Sequence, residues 1–211
     1  MDKRFLMVIA AAVAFIVVGV LVVTVFSQPS EELRGTIEFD PPIKAADFTL
    51  IDQNGVERSL SDFGGKPIAL SFIYSSCPDI CPIIVGKSVE AYKMLEQELR
   101  GKIVFIFVTV DPARDTPEVL KEWAQALGAD LPDFYFMTGR PSDVAKVWRT
   151  YAVAVANETV KQGEVSTYFV AHSAHIYFID KDFRIRVEFT GHPDFWSPED
   201  IAHNMRVLAR E

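Results

Sequence analysis

The chain has 211 residues, of which 49% are hydrophobic and 24% charged, and its formal net charge is −8. That much apolar content fits one ordinary domain with a packed core. The acidic balance argues against a nucleic-acid partner, which needs clustered lysine and arginine, and two cysteines are too few for a disulfide framework.

In chain order, "MDKR" is followed by an uncharged stretch, Phe5 to Phe26, interrupted only by Gly19 and Thr24. As a helix it would span about 33 Å, enough to cross a bilayer core of about 30 Å. A cleaved signal peptide has a shorter apolar region and a small-x-small cleavage site, and "SQPSEEL" offers no good one. Lys3 and Arg4 precede the stretch and Glu31 and Glu32 follow it. The positive-inside rule then places the N-terminus in the cytoplasm and the rest of the chain outside. The expectation is a single-pass protein of a prokaryotic cell membrane. Residues 1–27 would be a transmembrane anchor with a short cytoplasmic start, and 28–44 a polar, proline-bearing linker to an extracytoplasmic domain over 45–211.

Within that domain, two short strands flank Asn54-Gly55, a strong hairpin signal. "PIALSFIYS" (67–75) is a nearly unbroken apolar run, as in a strand buried on both faces. A loop with both cysteines follows, "YSSCPDICP", and Pro82 is read as opening a helix that ends at Gly101. "KIVFIFVTVD" predicts a second buried strand, and "DTPEVLKEWAQALG" a helix. "DFYFMTG" predicts a strand and "RPSDVAKVWRTYAV" a helix. "HSAHIYFID" and "FRIRVEFTG" read as strands around a tight Lys181-Asp182 turn. The last helix, "SPEDIAHNMRVLARE", has Ser197 as N-cap and Pro198 in its first turn. Buried strands alternating with helices imply an α/β fold with a mixed sheet covered on both faces. Ligands in such folds gather beyond the carboxyl ends of the strands, where Cys77 and Cys81 stand and where Asp111 ends the neighbouring strand.

Cysteines four apart at a helix start can bring their sulfurs together, and the helix dipole stabilises thiolates there. Two accessible thiolates exchange with disulfides or bind a soft metal such as Cu(I). A third ligand would come from His172, His175, His192 or His203. His203 sits among polar neighbours in the last helix, and His192 reads as a turn residue. His172 and His175, three apart at one strand start, would point to opposite faces, so only one of them can face the cysteines.

These stretches resemble the Sco (SenC) family of membrane-anchored, thioredoxin-like copper chaperones. "FTLIDQNGVERSLSDFGGKP", "SFIYSSCPDICP", "VTVDPARDTPEVLKEWA" and "HSAHIYFIDKD" occur in family order. The resemblance implies a thioredoxin-like copper-binding domain over 45–211, with Cys77, Cys81 and His172 as metal ligands and the two cysteines as the redox pair. It implies copper as the cargo, Cu(I) and also Cu(II) once an imidazole joins the thiolates. The acceptor would be the dinuclear copper centre of cytochrome c oxidase subunit II, with a copper donor or a thiol reductant as further partner. The family usually has Asp immediately before the histidine; here it is Ala171. Asp79 and Asp111 match family positions as helpers rather than ligands.

Three other readings share parts of this pattern. A thiol–disulfide oxidoreductase acting on the cysteines of that or another exported protein would use the same pair without a metal. A peroxidase would want one activated cysteine with an arginine, and no basic residue accompanies this loop, although Tyr74 lies three before Cys77. A structural zinc module should present four protein ligands.

Overall fold

In the computed structural model, which describes residues 15–16, 32–162 and 165–211, the chain from Leu33 onward builds an eight-stranded sheet and a separate two-stranded ribbon. The sheet contains β1 (Ile37–Lys44), β2 (Thr49–Asp52), β3 (Glu57–Ser59), β4 (Ile68–Ile73), β5 (Val104–Thr109) and β6 (Phe134–Thr138). The ribbon pairs β7 (Val155–Gln162) with β8 (Val165–His172), and β9 (His175–Ile179) and β10 (Arg184–Thr190) return to the sheet. The strand order is β1-β10-β9-β4-β5-β6-β2-β3. β4, β5 and β6 run parallel and the remaining pairs are antiparallel. This is the mixed α/β sheet expected from the sequence.

Burial explains the centre. All six residues of β4 and all six of β5 are buried, so both faces of the sheet must be covered there. Phe105 stacks on Phe134 at 4.6 Å and Phe107 on Phe136 at 4.8 Å, which locks β5 to β6. Four helices supply much of the cover: α1 (Ile80–Met94), α2 (Pro117–Ala126), α3 (Pro141–Thr150) and α4 (Pro198–Arg210). α1 packs against α4, and α2 against β6. The far end of α1 is anchored by Tyr92, which sits edge-on to Phe105 and Phe134 and donates to Asp133 at 2.9 Å. At α4, Ser197 and Asp200 form a capping box that satisfies free N–H groups of the first turn.

Several expectations change. Residues 37–44, within the stretch read as linker, are edge strand β1 on β10, and Leu33–Glu211 form one compact unit. Just before them, the Arg34 N–H and C=O both bond the Asn204 amide of α4, at 2.8 and 2.6 Å. α1 opens at Ile80, not Pro82, and ends at Met94, so Cys81 lies in its first turn. The β7–β8 ribbon was not foreseen. His172 and His175 do not share a strand; Ser173 and Ala174 separate the end of β8 from the start of β9. The Phe5–Phe26 stretch lies outside the described residues apart from 15 and 16. Among the described residues no helix is long and apolar enough to cross a membrane.

Candidate metal centre

The loop between β4 and α1 holds both cysteines at the carboxyl end of the sheet's central strands. A turn closes it, the Cys77 N–H donating to Tyr74 C=O at 3.2 Å. The Cys81 N–H, one of the donors left free at the start of a helix, points at Cys77 Sγ, 3.5 Å away. Both side chains are free thiols, Cys81 wholly buried and Cys77 nearly so.

His172 arrives from a different part of the chain. It ends β8, opposite Val155 at the root of the ribbon, and its Nε2 lies 3.5 Å from Cys81 Sγ. Its Nδ1 is 3.1 Å from Ser173 C=O. A carbonyl only accepts, so Nδ1 carries the proton and Nε2 presents its lone pair to the sulfur. Burial lowers the His172 pKa, which keeps the ring neutral, the form that binds metals. The Tyr74 ring stands edge-on to His172 at 5.8 Å.

The two sulfurs are electrically unequal. Cys77 is lowered to about 6, chiefly by a hydrogen bond from the Cys81 thiol, with further help from the Asp79 and Cys81 N–H groups and the Tyr74 hydroxyl. Cys81 is pushed up, first by burial and then by the neighbouring Cys77 sulfur. The pair therefore favours a thiolate at Cys77 and a thiol at Cys81, whose one proton has two acceptors beside it, Cys77 Sγ and His172 Nε2. Burial and the Cys77 charge raise Tyr74 to about 12, so its hydroxyl stays a donor.

Beneath the loop lies a residue that the sequence reading did not single out. Asp115 is wholly buried, and its carboxyl accepts from the Ser75 N–H at 3.2 and 3.3 Å, from the Ser75 hydroxyl, and from Thr109 Oγ1. Its own C=O accepts from Thr138 Oγ1 at 2.6 Å. One aspartate thus ties the segment after β4 to the last residues of β5 and β6. The signals in the sequence are its place in the family-like stretch "VTVDPARDTPEVLKEWA" and Ser75, Thr109 and Thr138, three hydroxyls at the ends of three apolar runs.

The other candidates fall into place around this centre. Asp111 is buried and pairs with Arg114, while Asp79 is exposed just before α1. His175 turns to Glu188, which its Nδ1 contacts, and stacks on Tyr177. His192 caps the short turn Pro193–Phe195, and His203 is half-buried on α4. Ala171 is exposed beside His172. Among the described residues no three His, Cys, Asp or Glu side chains are gathered in metal-holding geometry; Cys77, Cys81 and His172 are neighbours through Cys81.

The sequence signature of the SCO1/SenC family matches residues 38–210. The chain belongs to the SCO1/SenC family. An SCO2-like protein of Rickettsia typhi is 33% identical over 185 residues, 86% of this chain and 89% of that protein. Among solved structures, Bradyrhizobium japonicum ScoI with copper bound is 31% identical with a TM-score of 0.68, covering 79% of this chain and 99% of that one. Yeast Sco1 with copper bound is 26% identical with a TM-score of 0.65, covering 81% and 90%. The mixed sheet and its helices are the thioredoxin-like fold of these Sco proteins.

Proposed function

We propose that this SCO1/SenC protein is a copper metallochaperone that delivers copper to the dinuclear copper centre of cytochrome c oxidase subunit II. The observation that carries the reading is the meeting of Cys81 and His172, 91 positions apart in sequence and 3.5 Å apart in space, next to Cys77. Two sulfurs suit Cu(I), and one neutral imidazole extends the set towards Cu(II). Solved Sco relatives that carry copper, among them those of Bradyrhizobium japonicum and yeast, support copper as the metal. The cysteine pair must be reduced to take up the ion, because a disulfide has no thiolate to offer.

A second reading, thiol–disulfide oxidoreductase acting on subunit II or another exported protein, is favoured by one observation: Cys77, held at about 6, is ionised at neutral pH and able to attack a disulfide. The two activities are compatible in one molecule, and either needs a partner that supplies copper or electrons. The apolar Phe5–Phe26 stretch would hold the domain on the outer face of a cell membrane.

The test is to load the reduced full chain in detergent with Cu(I) and mix it with the soluble domain of subunit II. One copper per chain, moving to the acceptor, is expected; prior oxidation of Cys77 and Cys81 should abolish loading. Equal loading of oxidised and reduced protein would place the metal elsewhere. Rapid reduction of the acceptor's disulfide without copper transfer would favour the second reading. Carbonate extraction should leave the full chain in the membrane pellet, and a soluble product starting near residue 28 would overturn the anchor.

A further inference from the structure

From Leu33 onward, Phe195 is the most open large apolar side chain among the described residues, 80% exposed against 50% for the next, Ile43. A lone apolar side chain on a surface is ordinary, but this one is held out on a fixed support. Lys87 of α1 donates to the Pro193 C=O at 2.6 Å and to the Trp196 C=O at 2.8 Å, clasping the turn on both sides of the ring. Within the turn, the Phe195 N–H donates to the His192 C=O at 3.1 Å and the Asp194 N–H to His192 Nδ1 at 3.4 Å. Trp196 stacks on Phe189 at 5.7 Å. The Phe195 ring lies over the Gly191 backbone, where an added β-carbon would stand 3.5 Å from it. Pro193 and Trp196 are buried, and the phenylalanine between them stays in water.

The turn belongs to the end of the sheet that carries the cysteines. Thr190 pairs with His175, and β9 runs antiparallel to β4, so the end of β10 lies on the side of the carboxyl end of β4. The Gly191 N–H donates to the Ala174 C=O at 3.3 Å, two residues beyond His172. On the other side, Lys87 follows Cys81 by six residues on α1, about 9 Å along the helix axis. An ordinary protein partner covers about 800 Å², so one seated over Cys77, Cys81 and His172 extends far enough to cover this turn.

Charge narrows the kind of partner. Segments 74–83, 170–175 and 190–196, which surround the centre, hold the exposed Asp79 and Asp194 and no lysine or arginine. The adjoining loop after β5 adds Arg114, which pairs with Asp111, and the Lys87 ammonium is engaged by the two carbonyls. An acidic rim with one apolar projection suits a surface that offers an apolar recess among basic side chains.

We propose that Phe195 is the docking anchor for the protein that takes copper from this centre, its ring entering an apolar recess on the soluble domain of subunit II. The inference rests on the copper-delivery reading for its partner and adds where that partner is held. A ring already fixed by its support loses little freedom on binding, and such aromatic side chains are the ones that dominate an interface.

The experiment measures binding of the reduced full chain in detergent, with and without one equivalent of Cu(I), to the immobilised soluble domain of subunit II. Cu(I) loading and thermal unfolding are followed in parallel. Phe195→Ala should weaken binding about tenfold and slow copper transfer in proportion at low acceptor concentration, with Cu(I) affinity and melting temperature unchanged. Phe195→Tyr, which keeps the ring, should bind within about threefold of the parent. So should Met94→Ala, which removes an exposed apolar side chain at the far end of α1. Asp79→Asn and Asp194→Asn should each weaken binding about twofold and reduce its dependence on salt. Equal affinity of Phe195→Ala and the parent, with copper transfer intact, would overturn the anchor and leave copper delivery standing. An effect of Phe195→Ala confined to self-association of the full chain, read by sedimentation, would also overturn it and make the ring a contact between copies. A parent that loads Cu(I) but never binds the domain would overturn the delivery reading and the anchor with it.

Discussion

Cys77 and Cys81 are four positions apart but play opposite parts in one hydrogen bond. Cys77 accepts from the Cys81 thiol and from backbone N–H groups, so its charge is stabilised; Cys81 is sealed inside, so its charge is not. The asymmetry fixes an order of events, with Cys77 engaging an ion or a disulfide first and Cys81 following once its proton leaves. Alkylation with iodoacetamide, followed site by site by mass spectrometry, should show Cys77 reactivity rising as pH increases through about 6, with Cys81 protected throughout. Two cysteines titrating together near 9 would refute the asymmetry. The same shift links to folding. Cys77 is depressed from an ordinary 9.0, so its contribution to stability is full above pH 9 and is lost as pH falls through about 6. Cys81 is raised, so its contribution has the opposite sign: present below the ordinary value and lost above it.

At the scale of elements, what could be read from the sequence was what burial writes into it. β4 and β5 announce themselves as charge-free apolar runs because both faces are covered. The Asn54-Gly55 turn does so because Gly55 takes a positive φ of 76° that suits glycine, and α4 because its cap needs Ser197 and Asp200 at a fixed spacing. β1 escaped notice because Pro41 and Pro42 interrupt it. An edge strand tolerates such prolines, and its register on β10 is irregular between Glu38 and Ile43, where they lie. The ribbon escaped notice for a different reason: "NETVKQGEVST" is largely polar and carries no run of apolar alternation from which a strand is read. That omission had a consequence at the site. The premise of one strand with two faces left His172 and His175 open, and the resemblance pointed to His172; the two residues belong to different strands. His172 lies 3.5 Å from Cys81, and His175 is engaged with Glu188. Asp115 lay inside a family-like stretch, but its burial was not legible, since an aspartate before a helix cap looks the same in sequence whether it is solvated or buried under a loop.

At the scale of the molecule, the centre is a junction. The cysteines ride on the loop after β4, a wholly buried strand, and on the start of α1, and Asp115 ties that loop to β5 and β6. The histidine rides on the root of a ribbon that belongs to no part of the sheet. Such an arrangement holds two cysteines on one support and brings the histidine from a separate element, as the proposed uptake and release of an ion would use. The central claim is that Cys77, Cys81 and His172 together hold the cargo. X-ray absorption at the copper edge, on the reduced full chain loaded with one equivalent of Cu(I), tests it most directly. The account predicts two sulfur neighbours and one imidazole nitrogen in the parent, with the nitrogen lost in His172→Ala and retained in His175→Ala. A nitrogen neighbour that survives in His172→Ala, or a site with fewer than two sulfurs, would contradict it.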